Sequence, residues 1–239
     1  MNGMGVIMLE VKNLSKKYIG SDNDAIKNFN IKIEDGKICA LFGRNGAGKT
    51  TVLKCASGVL NFNRGDILIN KKSLKKNSLE YKKSMAYIPD SPDIYEYLKG
   101  VDYLNFIGDI YRVEDRDNKI KKYSDIFELT GFLGNTINTY SNGMRERLLI
   151  IASLIHQPQV LLLDEPFNYL DSFWIKKLKE VLKKLASEKV TILYSTNKIS
   201  ELKNFCDKVA FLDNGILINY GDYKDLSKEL IERMGQDDE

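Results

Sequence analysis

The chain has 239 residues, of which 43% are hydrophobic and 29% charged, a composition typical of a globular protein with a substantial core. Its 36 basic and 33 acidic residues leave a net charge of only +3, which argues against nucleic acid as a partner. The longest apolar runs, such as residues 148–155, are far shorter than the ~20 residues that a membrane-spanning helix needs.

The first residues and the cysteines bear on where the protein works. Residues 1–9 show no basic segment followed by a long apolar run, so we expect no signal peptide. Methionines at positions 1, 4 and 8 leave the start of translation open. The cysteines, at positions 39, 55 and 206, show no paired spacing, which favours reduced thiols in a cytosolic protein.

Three short segments in the first third of the chain alternate between apolar and polar side chains. They cover residues 9–11, 31–33 and 66–69. Such alternation is typical of antiparallel strands with one buried face. We therefore predict an N-terminal antiparallel β subdomain.

The most specific motif lies between the second and third of these segments. Residues 37–42 predict a short buried strand, and residues 49–57 predict a helix. The turn that joins them fits the pattern G-x-x-x-x-G-K-[ST], through Gly43, Arg44, Asn45, Gly46, Ala47, Gly48, Lys49, Thr50 and Thr51.

In this strand–turn–helix context, glycines let backbone N–H groups surround a phosphate at the positive end of a helix. We expect Lys49 to reach the β- and γ-phosphates of a nucleotide and the Thr50 hydroxyl to bind Mg²⁺. The alternative is a glycine-rich turn followed by Lys-Thr by chance. The motifs further along the chain argue against it.

Six lysines follow between residues 71 and 83, separated mainly by Ser, Asn and Leu. Surfaces that bind single-stranded nucleic acid usually interleave aromatic side chains with basic ones, and this segment has little of that pattern. We predict a solvated surface.

The rest of the chain alternates between predicted strands and helices. Strands are predicted at 85–88, 160–163, 190–194 and 209–212, and Asp213-Asn214-Gly215 turns the chain back into 216–220. Between the second and third of these strands lies an amphipathic helix, whose apolar face carries Ile175, Leu178, Val181, Leu182 and Leu185. Residues 92–143 are helical in pattern and rich in Tyr, Phe and Ile.

This order of elements predicts an α/β fold with a mostly parallel sheet covered on both faces. We predict a single domain over residues 1–239. Residues of about 1–90 and 156–239 would form the core with its antiparallel subdomain, and about 91–155 an inserted helical lobe.

Two carboxylates, Asp164 and Glu165, directly follow the apolar strand at 160–163. The carboxyl end of such a buried strand lies at the sheet edge where open α/β folds bind their ligands. Asp164 is expected to hold Mg²⁺, directly or through water. Glu165 is expected to orient or deprotonate an attacking water.

A third motif resembles the signature of one protein family. Tyr140-Ser141-Asn142-Gly143-Met144 is similar to the Leu-Ser-Gly-Gly-Gln signature of ATP-binding cassette (ABC) proteins. Together with the phosphate loop and the acidic pair, it makes the chain resemble the nucleotide-binding subunit of ABC transporters from about Leu9 to Gly221. The resemblance implies a P-loop NTPase core that binds ATP and Mg²⁺.

The same resemblance implies two protein partners. One is a second cassette, in a homodimer or a heterodimer. In it, Ser141, Asn142, Gly143 and Met144 would cap the ATP held by the phosphate loop of the partner. The other is an integral membrane permease, which would hold the cytoplasmic chain at the inner face of the cell membrane.

Two more residues receive roles from the resemblance. Tyr18 would stack on the adenine ring, and Asp171 would contact the partner cassette. Each motif residue also has a purely structural alternative. Tyr18 could be a core tyrosine, and Asp171 could cap the helix that starts near Ser172. Ser141 could cap a helix with Glu146 in a capping box, which is compatible with its contact to the ATP of the partner.

The chain departs from the family pattern at two positions. Asp90 stands where the family has glutamine after Tyr-x-Pro, and it can ligate Mg²⁺ but brings negative charge toward the γ-phosphate. Asn197 replaces the switch histidine. An asparagine can donate a hydrogen bond to the γ-phosphate, alone or through a water, but it cannot carry a proton. The single histidine, His156, lies in a connection away from this site.

We therefore predict an ATPase subunit that hydrolyses ATP slowly and powers a separate permease, with export the favoured direction. Tyr95, Tyr97, Leu98, Tyr103 and Phe106 are expected either to contact that permease or to pack inside the helical lobe. The alternative functions are a non-transport ABC ATPase or a regulatory ATP-binding module in a soluble complex. A small-molecule kinase would share only the phosphate loop.

Overall fold

The computed structural model describes residues 6–91 and 94–228, so the expectations for the first five residues lie outside the described part. Ten strands of that part form one sheet in the order β5-β4-β1-β2-β10-β9-β3-β8-β7-β6. The strands are β1 (Ile7–Lys17), β2 (Asp24–Glu34), β3 (Ile38–Phe42), β4 (Arg64–Ile69), β5 (Lys72–Ser73), β6 (Met85–Ile88), β7 (Val160–Leu163), β8 (Thr191–Thr196), β9 (Lys208–Asp213) and β10 (Ile216–Asp222).

In the described part of the chain, six α-helices connect these strands. They are α1 (Lys49–Ser57), α2 (Ser78–Lys83), α3 (Gly100–Tyr111), α4 (Arg116–Ile126), α5 (Asn142–Leu154) and α6 (Ser172–Ser187). Helices α3, α4 and α5 all lie between β6 and β7, which confirms that a helical segment is inserted into the α/β core. Within the described residues, none of the helices has the length and apolar character to cross a membrane.

Five parallel strands, β6, β7, β8, β3 and β9, form the part of the sheet that positions the site. Phe42 at the end of β3 pairs with Thr196 at the end of β8, and Leu163 of β7 pairs with Tyr194. The carboxyl ends of these strands therefore meet at one edge. The residues that follow them, 43–51, 90, 164–165 and 197, are brought to that edge by topology alone.

The antiparallel subdomain is confirmed, with strands longer than the alternation predicts. β1 pairs with β2 on one side and with β4 on the other, and both ladders are interrupted by register shifts. Such irregularities break the strict alternation from which strand ends were predicted. The predicted hairpin between β9 and β10 is also confirmed, and Asn214 and Gly215 both have the positive φ that this tight turn requires.

Alternate side chains of β3 enter two cores on opposite faces of the sheet. Ile38, Ala40 and Phe42 pack with α5 and α6, whereas Cys39 and Leu41 pack with α1 and the antiparallel strands. All five are buried, which explains why β3 reads as a continuous apolar run. The three cysteines are free thiols.

The lysine-rich segment 71–83 is more structured than predicted. Its six lysines are exposed, as expected, but the segment also contains β5 and α2. Tyr81 is fully buried, and its hydroxyl donates to the carbonyl of Ala56 in α1, at 2.7 Å. This anchor explains why a strongly basic segment lies fixed against the core.

Candidate functional site

The phosphate-loop sequence forms a tight turn in which two glycines are required sterically. A Cβ on Gly43 would lie 2.1 Å from the carbonyl oxygen of Leu212. Gly48 has φ +104°, and a Cβ there would lie 2.7 Å from Ile26 Cδ1. Gly48 also caps α1 without any side-chain hydrogen bond, and the first turn contains no acid. The positive end of α1 is therefore available to an anion.

Lys49 is fixed at the centre of this turn. Its side chain is 4% exposed, and its ammonium donates to the carbonyls of Gly43 and Arg44 at 2.9 and 3.0 Å. The same Nζ lies 3.6 Å from Glu165 Oε1. Burial lowers the pKa of Lys49, and the neighbouring carboxylates of Glu165 and Asp164 oppose that shift.

Asp164, which follows β7, is 1% exposed and receives two hydrogen bonds on one oxygen. Thr50 Oγ1 and Ser195 Oγ donate to its Oδ1 at 3.1 and 2.6 Å. Burial raises the pKa of Asp164, and these two donors partly offset the rise. Its other oxygen, Oδ2, is buried and has no hydrogen-bond partner among the described residues.

Ser195 is a site residue that the sequence did not single out. Its hydroxyl donates to Asp164 and accepts a hydrogen bond from the backbone N–H of Glu165 at 2.9 Å, so it fixes both acids. The only signal in the sequence was a polar residue near the carboxyl end of the buried strand β8.

Glu165 adopts a backbone conformation that is uncommon for its type, with φ +47°. Such conformations cost of order 1–3 kcal/mol and cluster at functional sites. Its Oε2 accepts a hydrogen bond from Asn168 Nδ2 at 2.8 Å, and the same amide nitrogen donates to Asp90 Oδ1 at 3.2 Å. Asn168 therefore joins the predicted catalytic acid to the predicted metal ligand.

Asn197 and Tyr18 lie at the margins of the site. Asn197 Nδ2 donates to Asn45 Oδ1 in the phosphate loop, at 3.0 Å. Tyr18 is 42% exposed, and its hydroxyl lies 3.2 Å from Thr51 Oγ1. The interpretation of Tyr18 as a core residue is therefore wrong.

Several of the residues described above line a cleft of about 420 Å³. Its lining combines the phosphate loop and the helix that follows it with three residues from the other strand ends. The lining residues are Asn45, Gly46, Gly48, Lys49, Thr50, Thr51, Asp90, Glu165 and Asn168. All except Asn168 were expected there from the sequence.

The signature-like segment does not line this cleft. Ser141 caps α5, accepting from the backbone N–H of Met144 at 3.3 Å. Asp171 caps α6, accepting from the N–H of Trp174 at 3.0 Å. Gly143 lies against the Asp171 loop, where a Cβ would lie 3.1 Å from the carbonyl oxygen of Tyr169. Their contacts with a second cassette remain a prediction.

The capping-box interpretation of Glu146 is wrong. Because α5 begins at Asn142, the third helical residue is Met144, and Glu146 lies too far along the helix to reach back. Glu146 is instead 2% exposed, and its Oε2 is buried without a partner among the described residues. Burial, together with the charge of Asp90, raises its pKa to about 8.

His156, as expected, lies away from the cleft. Its ring stacks on Tyr111 with centroids 3.9 Å apart, and its Nε2 lies 3.2 Å from the carbonyl oxygen of Met85.

Comparisons with known proteins agree with this geometry. A family model described as ABC transporter matches residues 26–168. The chain is 33% identical to YhcH of Bacillus subtilis, an uncharacterized ABC transporter ATP-binding protein, over 91% of this chain and 71% of that one. It is 31% identical to SrtF of Streptococcus pyogenes, a lantibiotic transport ATP-binding protein, over 90% and 91% of the two chains.

Among solved structures, an ATP-binding subunit of an ABC transporter superposes with a TM-score of 0.86. The two chains are 28% identical, and 93% of each is covered.

Proposed function

This chain belongs to the ABC transporter family and is an ATP-binding subunit, and on that premise we propose that the cleft around Lys49, Asp164 and Glu165 is its ATP hydrolysis site. One observation carries the proposal. The loop that can hold phosphates and the acid that can act on water face each other across 3.6 Å, from Lys49 Nζ to Glu165 Oε1.

ATP binding would use the turn and the positive end of α1 for its phosphates. The N–H groups of the loop and the ammonium of Lys49 supply hydrogen bonds and charge for the β- and γ-phosphates. Lys49 would exchange its two carbonyl contacts for phosphate oxygens. The exposed ring of Tyr18, next to Thr51, would stack on adenine.

The oxygen donors of the cleft fit Mg²⁺, which prefers a few protein oxygens together with phosphate oxygens. Thr50 Oγ1 and Asp164 Oδ1 are 3.1 Å apart, and the orphaned Oδ2 of Asp164 gains a partner if it faces an ion or its water shell. Asp90 would supply a third oxygen. When bound, the ion neutralises charge that develops on the phosphates.

Hydrolysis needs a water aligned with the γ-phosphorus, and Glu165 is the acid placed to accept its proton. The water oxygen forms a bond to the γ-phosphorus while the bond to the β–γ bridging oxygen breaks, leaving ADP and phosphate. The water proton passes to the Glu165 carboxylate. Lys49 remains on the phosphate side and stabilises the negative charge.

Asn197 limits the rate in this proposal. Its amide is neutral and is engaged by Asn45, so it adds no charge at the γ-phosphate. We expect Asn197→His to raise steady-state MgATP turnover by about tenfold or more, since one well-placed stabiliser is worth about 10²–10³ in rate. The measurement is phosphate release by the purified chain.

Asn197→Ala serves as the control for that substitution, because it removes the Asn45 contact without adding an imidazole. Equal, brisk turnover in the native chain and in Asn197→His would show that Asn197 already fills the role. Failure of the native chain to bind MgATP would contradict the proposed function itself.

We propose a second cassette and a membrane permease as partners, which place the chain at the inner membrane face. A patch of exposed aromatic and aliphatic side chains fits the permease. Tyr95, Tyr97, Phe106 and Ile110 are 64%, 90%, 45% and 56% exposed, and the rings of Tyr95 and Phe106 pack edge to face. The direction of transport stays a prediction, which rests on the form of the signature segment.

Two of the predicted contact residues belong to the core instead. Tyr103 is 8% exposed, and Leu98 packs against the same core. We expect the double substitution Tyr97→Ala and Phe106→Ala to lower the fraction of the chain that sediments with host membranes several-fold. Turnover of the purified subunit should stay unchanged. Membrane association equal to that of the native chain would place the permease elsewhere, and Phe132→Ala is a matched control at another exposed aromatic residue.

A further inference from the structure

We propose that Asn168, held in turn by Lys198, is a positioning residue that fixes the carboxylate of Glu165 for hydrolysis. The inference deepens the proposed function and rests on the role of Glu165 in it. Asn168 lies between three charged side chains. Its Nδ2 donates to Glu165 Oε2 at 2.8 Å and to Asp90 Oδ1 at 3.2 Å, and its Oδ1 accepts from Lys198 Nζ at 3.3 Å.

The charges around Asn168 determine which way its amide points. The nitrogen, which carries two hydrogens, faces two carboxylates, and the oxygen faces an ammonium. A flipped amide would bring its oxygen against both carboxylates and its hydrogens against the lysine. The contacts therefore specify one orientation, in which every polar atom of the amide has a partner of the right kind.

The bridge also holds two like charges in place. Asp90 and Glu165 would repel each other at this cleft, and a shared N–H₂ group gives each carboxylate a donor. Lys198 strengthens these donors because hydrogen bonds in series polarise one another. Lys198 is itself anchored, since its Nζ lies 3.5 Å from Glu201 Oε1.

Both oxygens of Glu165 are then restrained by different partners. Oε1 lies 3.6 Å from Lys49, and Oε2 is held by Asn168. The backbone supports this arrangement, because the N–H of Asn168 donates to the carbonyl of Glu165 at 3.2 Å and closes a turn. That turn follows directly from the left-handed conformation of Glu165.

Asn197 and Lys198 contact different parts of the site. Asn197 points to Asn45 in the phosphate loop, whereas the next residue delivers a cation to the bridge. The charge at the end of β8 therefore acts on the base through Asn168, and not on the phosphate.

The test is a kinetic comparison with purified protein, MgATP and a set of matched variants. Asn168→Ala should lower kcat about tenfold and leave the KM for MgATP within about twofold, since the bridge acts on the base and not on the nucleotide. Asn168→Asp keeps the acceptor for Lys198 but loses the donor, so its kcat should fall at least as far. The melting temperatures of both variants should match that of the native chain, which excludes a general structural effect.

Lys198 is tested through a double-mutant cycle. Lys198→Met should lower kcat about threefold to tenfold, and Lys198→Arg should recover most of the rate because it keeps the charge. In an Asn168→Ala background, Lys198→Met should have no further effect. Additive losses in the double variant would overturn the inference, as would an equal loss in Lys203→Met, a control at an exposed lysine of the same segment.

Two further measurements separate this inference from the proposed function. If Glu165→Gln abolishes turnover while Asn168→Ala does not lower it, the bridge is refuted and the site stands. If Glu165→Gln does not lower turnover, the proposed function fails. A crystal structure of Asn168→Ala in which the Glu165 carboxylate keeps its position would also overturn the inference. This result would not depend on the turnover of the native chain.

Discussion

Replacing Glu165 with glutamine should lower steady-state MgATP turnover by about 10²- to 10⁴-fold, the range expected when a general base is lost. The substitution is nearly isosteric. A glutamine oxygen can still accept from Asn168 Nδ2, so the loop after β7 should keep its shape. What is lost is the group that takes the proton from water, and an amide cannot take it.

ATP binding should survive this substitution. The phosphate loop, Lys49 and Thr50 are unchanged, and removing a negative charge 3.6 Å from the Lys49 ammonium leaves that cation freer for phosphate. We expect the dissociation constant for MgATP, measured by calorimetry, to stay equal or to fall. Phosphate release measured on the same preparation gives the turnover.

Glu180→Gln is the matched control, because Glu180 is exposed on α6 and lies outside the cleft lining. It should leave both binding and turnover unchanged. Native turnover in Glu165→Gln would contradict the proposed function, in which Glu165 accepts the proton.

The parts of the fold that could be predicted are those specified by residues that are close together in the sequence. The strand at 160–163 and the helix at 49–57 have the predicted bounds. An apolar run ending in two acids defines the strand, and a glycine turn defines the start of the helix. The burial of Tyr81 could not be predicted, because its hydroxyl bonds to a carbonyl of α1 that is distant in sequence.

The functional site also contains parts that could be predicted from the sequence and parts that could not. The phosphate loop, Asp90, Asp164 and Glu165 could be brought together in advance, because parallel strands end at one edge. Asn168 could not be assigned, since its role follows from the left-handed backbone of Glu165 and from the direction of one amide. The prediction of a capping box with Glu146 was wrong, because the first residue of α5 decides which acid can reach the cap.

Glu146 also provides the largest expected effect on stability. The arginines on either side of it are engaged elsewhere. Arg145 pairs with Glu96 at 2.5 Å, and Arg147 donates to the carbonyl of Phe127 at 2.8 Å. The charged group that acts on the Glu146 carboxyl is Asp90, whose like charge adds to the effect of burial.

The pH dependence follows from the raised pKa. The pKa of Glu146 is about 8 in the folded chain against an ordinary 4.5, so between these values the folded state holds a proton that the unfolded chain releases. Stability therefore falls as pH rises through this window. At about 1.4 kcal/mol per pKa unit, the carboxyl costs about 3 kcal/mol at pH 7.

Glu146→Gln should remove this cost, because an amide resembles the protonated carboxyl and does not titrate. We expect the variant to be about 3 kcal/mol more stable than the native chain at pH 7, and about 1 kcal/mol more stable at pH 5. Urea unfolding followed by circular dichroism at pH 5, 7 and 9 gives the difference directly. The exposed Glu180→Gln should follow the native curve.

The pH dependence of this stability difference shows whether Glu146 is protonated in the folded chain. A stability difference that grows between pH 5 and 8 and stays constant above pH 8 shows that Glu146 is protonated in the folded chain at pH 7. A stability difference that does not change with pH would mean that Glu146 is ionised in the folded chain and that water reaches it beside α5.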